Sequence, residues 1–105
     1  MKELMNSTEI KRLHSKLTIE VLWIYLLSLL NKEPSHAYLL RKKIKEEFDF
    51  LPGNVTAYIV LYKLEKRGFV EGKRKKNKKI YSITSKGKEL LKLAKKELIA
   101  KEKKL

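Results

Sequence analysis

Three hydrophobic patterns follow one another along the chain. Residues 1–16 are polar with scattered apolar positions (Leu4, Ile10, Leu13), the pattern of a frayed extension or of a short helix beginning after Ser7. From Thr18, a suitable N-cap, to about Asn31 nearly every residue is apolar, so Ile19, Leu22, Trp23, Tyr25, Leu26 and Leu29 between them cover all faces of a helix. A helix apolar all round must be buried all round. A domain of 105 residues is expected to need a second chain against one side of it. Pro34-Ser35 breaks the chain and is placed to cap a second helix over about His36 to Phe48, with Ala37, Leu40, Ile44 and Phe48 in one stripe. Leu51-Pro52-Gly53 reads as a turn, with Asn54 as cap of a third helix from about Val55 to Arg67. Ala57, Leu61 and Leu64 form its inward stripe with Tyr58 and Val60 beside them. Thr56, Ile59, Tyr62, Lys63, Lys66 and Arg67 fall on the other side.

Gly68 stands where a left-handed C-terminal residue is wanted, and after it the period changes to two. Phe69-Val70-Glu71 and Ile80-Tyr81-Ser82-Ile83 read as two short strands. The lysine-rich run between them is the hairpin tip and Asn77 a turn residue. Thr84 caps a last helix, along which Leu91, Ala94, Leu98 and Leu105 make a heptad-like seam that asks for a partner.

The order of elements predicts a mainly α chain with a small β-hairpin, the winged form of helix-turn-helix. Its expected parts are a polar extension over 1–17, the winged domain over 18–85 and a C-terminal dimerisation helix over 86–105.

Charge sharpens this picture. Lys and Arg number 26 against 12 acids, a net charge of +14. Residues 73–85 hold six of those cations and no acid, in the run Lys73-Arg74-Lys75-Lys76-Asn77-Lys78-Lys79. A cationic tip flanked by strands suits the phosphates of a duplex. Catalysis lacks raw material: cysteine is absent, the histidines are His14 and His36 alone, and Asp49 is the single aspartate. No enzyme activity, metal or cofactor is expected. The longest apolar run, Val21 to Leu27, is far short of the ~20 residues that span a bilayer, so a cytoplasmic chain with no membrane partner is expected.

The residues also resemble the PadR-type winged-helix transcriptional regulators over about residues 19–91. Pro34-Ser35-His36-Ala37-Tyr38 matches the family's Pro, spacer and His-Gly-Tyr, with Ala37 in the glycine's place. Val55-Thr56-Ala57-Tyr58, Leu61 and Leu64 match the opening of its recognition helix, and Tyr81-Ser82-Ile83-Thr84-Ser85-Lys86-Gly87 matches the end of its wing. Val55 replaces a glycine and Ile59 a proline, departures that bear on operator sequence more than on fold. The resemblance implies a homodimer in which the last helix packs on the partner's first helix. It also implies a hollow that in some members accepts flat aromatic effectors.

The candidate duplex contacts are Asn54, Thr56, Tyr58, Ile59, Lys63, Lys66 and Arg67 on the third helix. On the wing they are Lys73, Arg74, Lys75, Lys76, Lys78 and Lys79. The candidate dimer interface is Leu22, Trp23 and Leu26 with Leu91, Ala94, Leu98 and Leu105. His36 reads as structural, holding the turn before the second helix. The resulting expectation is a homodimeric, sequence-specific duplex-DNA regulator that acts as a repressor. A low-specificity architectural DNA binder and a module for an acidic protein partner are the alternatives.

Overall fold

Thr18 decides where the first core helix begins. Its hydroxyl donates back to the carbonyl of His14 at 2.8 Å, so the residue closes a preceding helix instead of opening the next. In the computed structural model, which describes residues 1–105, helix α1 spans Lys2–Met5 and α2 spans Thr8–Leu17, with the Ser7 hydroxyl accepting from the Ile10 amide. The short-helix reading of the N-terminal segment therefore holds. A single 3₁₀ turn over Ile19–Val21 then leads into α3, Leu22–Leu30. The predicted start at Thr18 is corrected by this back-bonded turn, across which the Tyr25 hydroxyl donates to the Leu17 carbonyl.

Helix α3 is the centre of the fold. Leu22, Leu26, Leu27, Leu29 and Leu30 are buried, while Trp23, Ile24 and Tyr25 pack half-buried against the same core. Helix α4 (Ala37–Phe48), helix α5 (Asn54–Lys66), strand β2 (Lys78–Ile83) and helix α6 (Ser85–Lys104) all contact it. These four neighbours from one chain bury its leucines, while Trp23, Ile24 and Tyr25 keep part of their surface. By length and hydropathy the stretch Thr8–Leu30 could cross a membrane, contrary to the reading of the apolar run alone. Its apolar end nevertheless has the burial of a core helix.

Helix α4 is capped by His36, whose Nδ1 accepts from the Leu39 amide at 3.4 Å; Ser35, the expected cap, is instead held in an extended bridge. The Ser35 amide donates to the Tyr81 carbonyl at 3.0 Å and the Tyr81 amide donates back at 2.8 Å. Helix α5 starts from Gly53 in an extended conformation, and Asn54 is its first helical residue without capping. The helix ends in a Schellman turn. Gly68, at φ 82°, lets its amide donate to the Glu65 carbonyl and the Phe69 amide donate to the Leu64 carbonyl.

Strand β1 (Val70–Lys75) pairs antiparallel with β2 from Val70–Ile83 to Lys75–Lys78. The strands thus run further than the apolar residues indicate and take in most of the lysine-rich segment. Only Lys76 and Asn77 form the tip, Lys76 in the left-handed region at φ 58°. Thr84 then does two things, as its hydroxyl accepts from the Gly87 amide at 3.1 Å and donates to the Gly68 carbonyl at 2.7 Å. The end of α5, the wing and the start of α6 are locked at this one point. The architecture is a winged helix-turn-helix followed by a C-terminal helix.

Candidate nucleic-acid interface

Strand alternation sorts the wing's cations by face. Val70, Gly72 and Arg74 share one face with Lys79, Tyr81 and Ile83; Lys73, Lys75 and Lys78 lie on the other. Lys73, Arg74, Lys75, Lys76 and Lys78 are all exposed. Lys79 is not free in the same way. Its ammonium donates to the Glu65 carboxylate at 2.7 Å and lies 5.5 Å from the centre of the Tyr81 ring. The hydrogen bond to Glu65 holds the Lys79 ammonium above its ordinary range. This pair crosses Gly72, where an added Cβ would stand 2.3 Å from the lysine chain. Lys79 thus braces the wing against α5 instead of presenting its charge outward.

On α5, Ala57, Leu61 and Leu64 are buried as predicted, whereas Tyr58, placed beside that stripe by the sequence, is 51% exposed. One step of 100° from Ala57 carries it past the edge of the core onto the side facing the wing. Asn54, Val55, Ile59, Tyr62, Lys63, Lys66 and Arg67 are exposed and Thr56 is half-buried. The far-end cations separate from the wing: Lys63 and Arg67 border a hollow of about 460 Å³ with Trp23, Phe69 and Leu90. The Lys66 ammonium lies 5.7 Å from the Tyr62 ring centre.

A second hollow, of about 390 Å³, opens between the start of α4, the start of α5 and the wing. Tyr58, Arg74, Lys78 and Lys79 meet there. So do His36, Tyr38 and Tyr81, which sequence reasoning left out of the site. Two motifs carried the missing signal, His36-Ala37-Tyr38 and Tyr81-Ser82, but nothing along the chain says that they are neighbours. Burial pushes the Tyr81 hydroxyl up, with a smaller opposing pull from Lys79, so it is a neutral donor at physiological pH. No group of three metal-ligating side chains occurs.

The proposed interface residues divide. Leu22, Leu26 and Leu91 are at most 3% exposed within their own chain and have no surface to offer, so their assignment to a dimer contact is corrected. Trp23 and Ala94 are half-buried, while Leu98 and Leu105 are exposed. A second uncovered stripe lies elsewhere, in Ile10, Leu13 and Leu17 along one side of α2, a helix with no buried residue. Spacings of three and four residues in this segment were the available signal, and its polarity masked them.

The family model for transcriptional regulators of the PadR-like family matches residues 26–93. The chain belongs to the PadR-like family. A search of curated protein sequences gave no match. Among solved structures, this PadR-like chain is similar to a transcriptional regulator from Clostridium thermocellum, with 24% identity, a TM-score of 0.76 and coverage of 92% of this chain and 91% of the other. A PadR family transcription regulator from Clostridium difficile is 25% identical with a TM-score of 0.71, covering 77% and 90%. Bacillus subtilis PadR in complex with operator DNA is 31% identical with a TM-score of 0.62, covering 68% of this chain and 44% of that one. In this PadR-like chain Thr84 locks the wing to α5, and Gly87 admits α6 beside it.

Proposed function

We infer that this chain is a homodimeric transcriptional regulator that binds duplex DNA and acts as a repressor. The observation that carries the reading is the cationic wing, free of acids from Lys73 onward, standing beside the exposed side of α5, the geometry of one element for a groove and one for the flanking backbone. In this reading the start of α5, with Asn54, Thr56, Tyr58 and Ile59, enters the major groove. Lys73, Arg74, Lys75, Lys76 and Lys78 meet the adjacent backbone or minor groove. Lys63, Lys66 and Arg67 reach phosphates from the far end of the helix. Lys79 acts through its bond to Glu65.

Two uncovered stripes support self-association: Ile10, Leu13 and Leu17 on α2, and Leu98 with its neighbours on α6. Each is a single-sided apolar face that a second copy would cover. Two copies related by a twofold axis would set the two α5 helices about 34 Å apart on a roughly palindromic site. A flat aromatic effector would fit the hollow beside Trp23. Solubility of the regulator and a cytoplasmic location follow from the same reading.

If about eight phosphates are neutralised, log affinity falls with log salt at a slope near −7. Replacing Lys75 and Lys76 by Glu is expected to weaken binding to every duplex and leave the dimer intact, as read by fluorescence anisotropy and sedimentation; unchanged affinity removes the wing from the interface. The exposed lysines of α6 favour a second reading, in which the protein coats DNA with little preference. Footprinting separates the two, because discrete protected sites belong to a regulator and continuous coverage to a coat.

A further inference from the structure

The hollow between α4 and the wing is unlike the rest of the cationic surface, because most of the donors that border it carry no charge. His36 caps α4 by accepting from the Leu39 amide through Nδ1 at 3.4 Å. An accepting ring nitrogen holds no proton, so the proton of the neutral imidazole sits on Nε2 and that N–H is left as a donor. The ring lies nearly parallel to that of Tyr38, at 17° and 6.4 Å between centroids. Tyr38 is 69% exposed and Tyr58 51% exposed, and both border the same hollow. Of the charged side chains there, Lys79 is committed to Glu65, which leaves Arg74 and Lys78.

We propose that this hollow seats one phosphodiester of the bound duplex through uncharged donors, the Nε2–H of His36 and the hydroxyls of Tyr38 and Tyr58, with Arg74 supplying the positive charge. The proposal rests on the reading of the protein as a duplex binder and adds to it a division of labour. The wing lysines outside the hollow (Lys73, Lys75) bind by releasing counterions, an effect that fades with salt. Apart from Arg74, the seat binds by hydrogen bonds that release none. It therefore fixes the register of wing and α5 on the backbone at salt concentrations where simple attraction has weakened.

The consequence is a signature that other roles for these residues would not give. Losing an uncharged donor to a phosphate lowers affinity on the order of tenfold at every salt concentration and leaves the salt slope unchanged. Losing Arg74 lowers affinity and also makes the slope shallower by about 0.9.

The test is a fluorescence-anisotropy titration of the full-length protein with a labelled mixed-sequence duplex, between about 50 and about 200 mM salt. The proteins compared are wild type, Tyr38→Phe, Tyr58→Phe, His36→Ser and Arg74→Gln. Serine keeps the α4 cap but is too short to extend an N–H into the hollow, and thermal unfolding of each variant confirms an unchanged fold. Parallel downward shifts for the tyrosine and histidine variants, with a shallower line for Arg74→Gln alone, are the expected result.

Tyrosine variants that bind like wild type overturn the seat, as do tyrosine variants that change the slope. Wild-type affinity in a well-folded His36→Ser protein removes His36 from the seat. A wild-type protein that ignores the duplex at low salt overturns the DNA-binding reading itself, a distinct outcome. Calorimetry with inorganic phosphate and no DNA distinguishes the source of the anion: heat that disappears in Tyr38→Phe would mark a free-anion site and overturn the duplex seat.

Discussion

Gly87→Ala tests how closely α6 must approach the wing. A Cβ built there would lie 2.1 Å from the Phe69 carbonyl oxygen and 2.8 Å from Ile83 Cγ1. The first of these is backbone and has no rotamer by which to move aside. That carbonyl also accepts from the Thr84 amide at 3.2 Å, while the Thr84 hydroxyl donates to the Gly68 carbonyl at 2.7 Å. Relief requires α6 to retreat by roughly an ångström, which loosens both Thr84 contacts. Overpacking costs about 1–3 kcal/mol, and a weakened cap adds about 1 kcal/mol. Alanine returns about 1 kcal/mol of helix propensity. The net loss is about 2 kcal/mol, or a Tm lower by about 10 °C for a domain of this size. The assay is thermal unfolding by circular dichroism at one fixed protein concentration, because association would make Tm depend on it. Gly53→Ala is the control, since its Cβ would meet nothing nearer than the Thr56 hydroxyl at 3.5 Å. An unchanged or raised Tm for Gly87→Ala, with Gly53→Ala also neutral, would refute the claim of backbone contact.

Glu65→Gln removes the anion that holds Lys79. Expected are a stability change below about 1 kcal/mol, as for other partly exposed pairs, and a looser wing, read as faster hydrogen exchange in β1 and β2. Leu13→Glu with Leu98→Glu places charge on both uncovered stripes and is expected to shift the protein to monomer in sedimentation without lowering helix content; an unchanged oligomeric state would exclude these faces from the contact. The hydrogen bond from Lys43 to Glu33 at 2.7 Å holds the Glu33 carboxyl below its ordinary value of 4.5. A depressed folded value means that this contribution is present above about pH 4.5 and is lost as the pH falls through the lower folded value. Glu33→Gln is accordingly expected to flatten the stability curve on the acid side and to leave its alkaline side unaltered.

Legibility in the sequence followed the range of the interaction. The Gly68 turn and the Thr84 cap were readable because a left-handed glycine and a capping hydroxyl act within three or four residues of themselves. The stripes Ala57-Leu61-Leu64 and Ala37-Leu40-Ile44 were readable for the same reason, as a helix brings such spacings to one face. Thr18 and Asn54 misled because the same side chains that cap a helix can bond backward or stay idle, and local pattern does not say which. The lysine-rich segment misled because strand pairing, which carried β1 and β2 through to Lys75 and Lys78, is a property of two segments together.

The class of the fold, its order of helices and hairpin, and the concentration of positive charge on the wing are all legible along the chain, since periodicity and composition are local quantities. Packing alone settles that the leucines of α3 are buried by their own chain, that Lys79 is bound to Glu65, and that His36, Tyr38, Tyr58 and Arg74 share one hollow. These residues stand far apart along the chain, and their meeting depends on how α4, α5 and the wing pack around α3, a geometry no local pattern encodes.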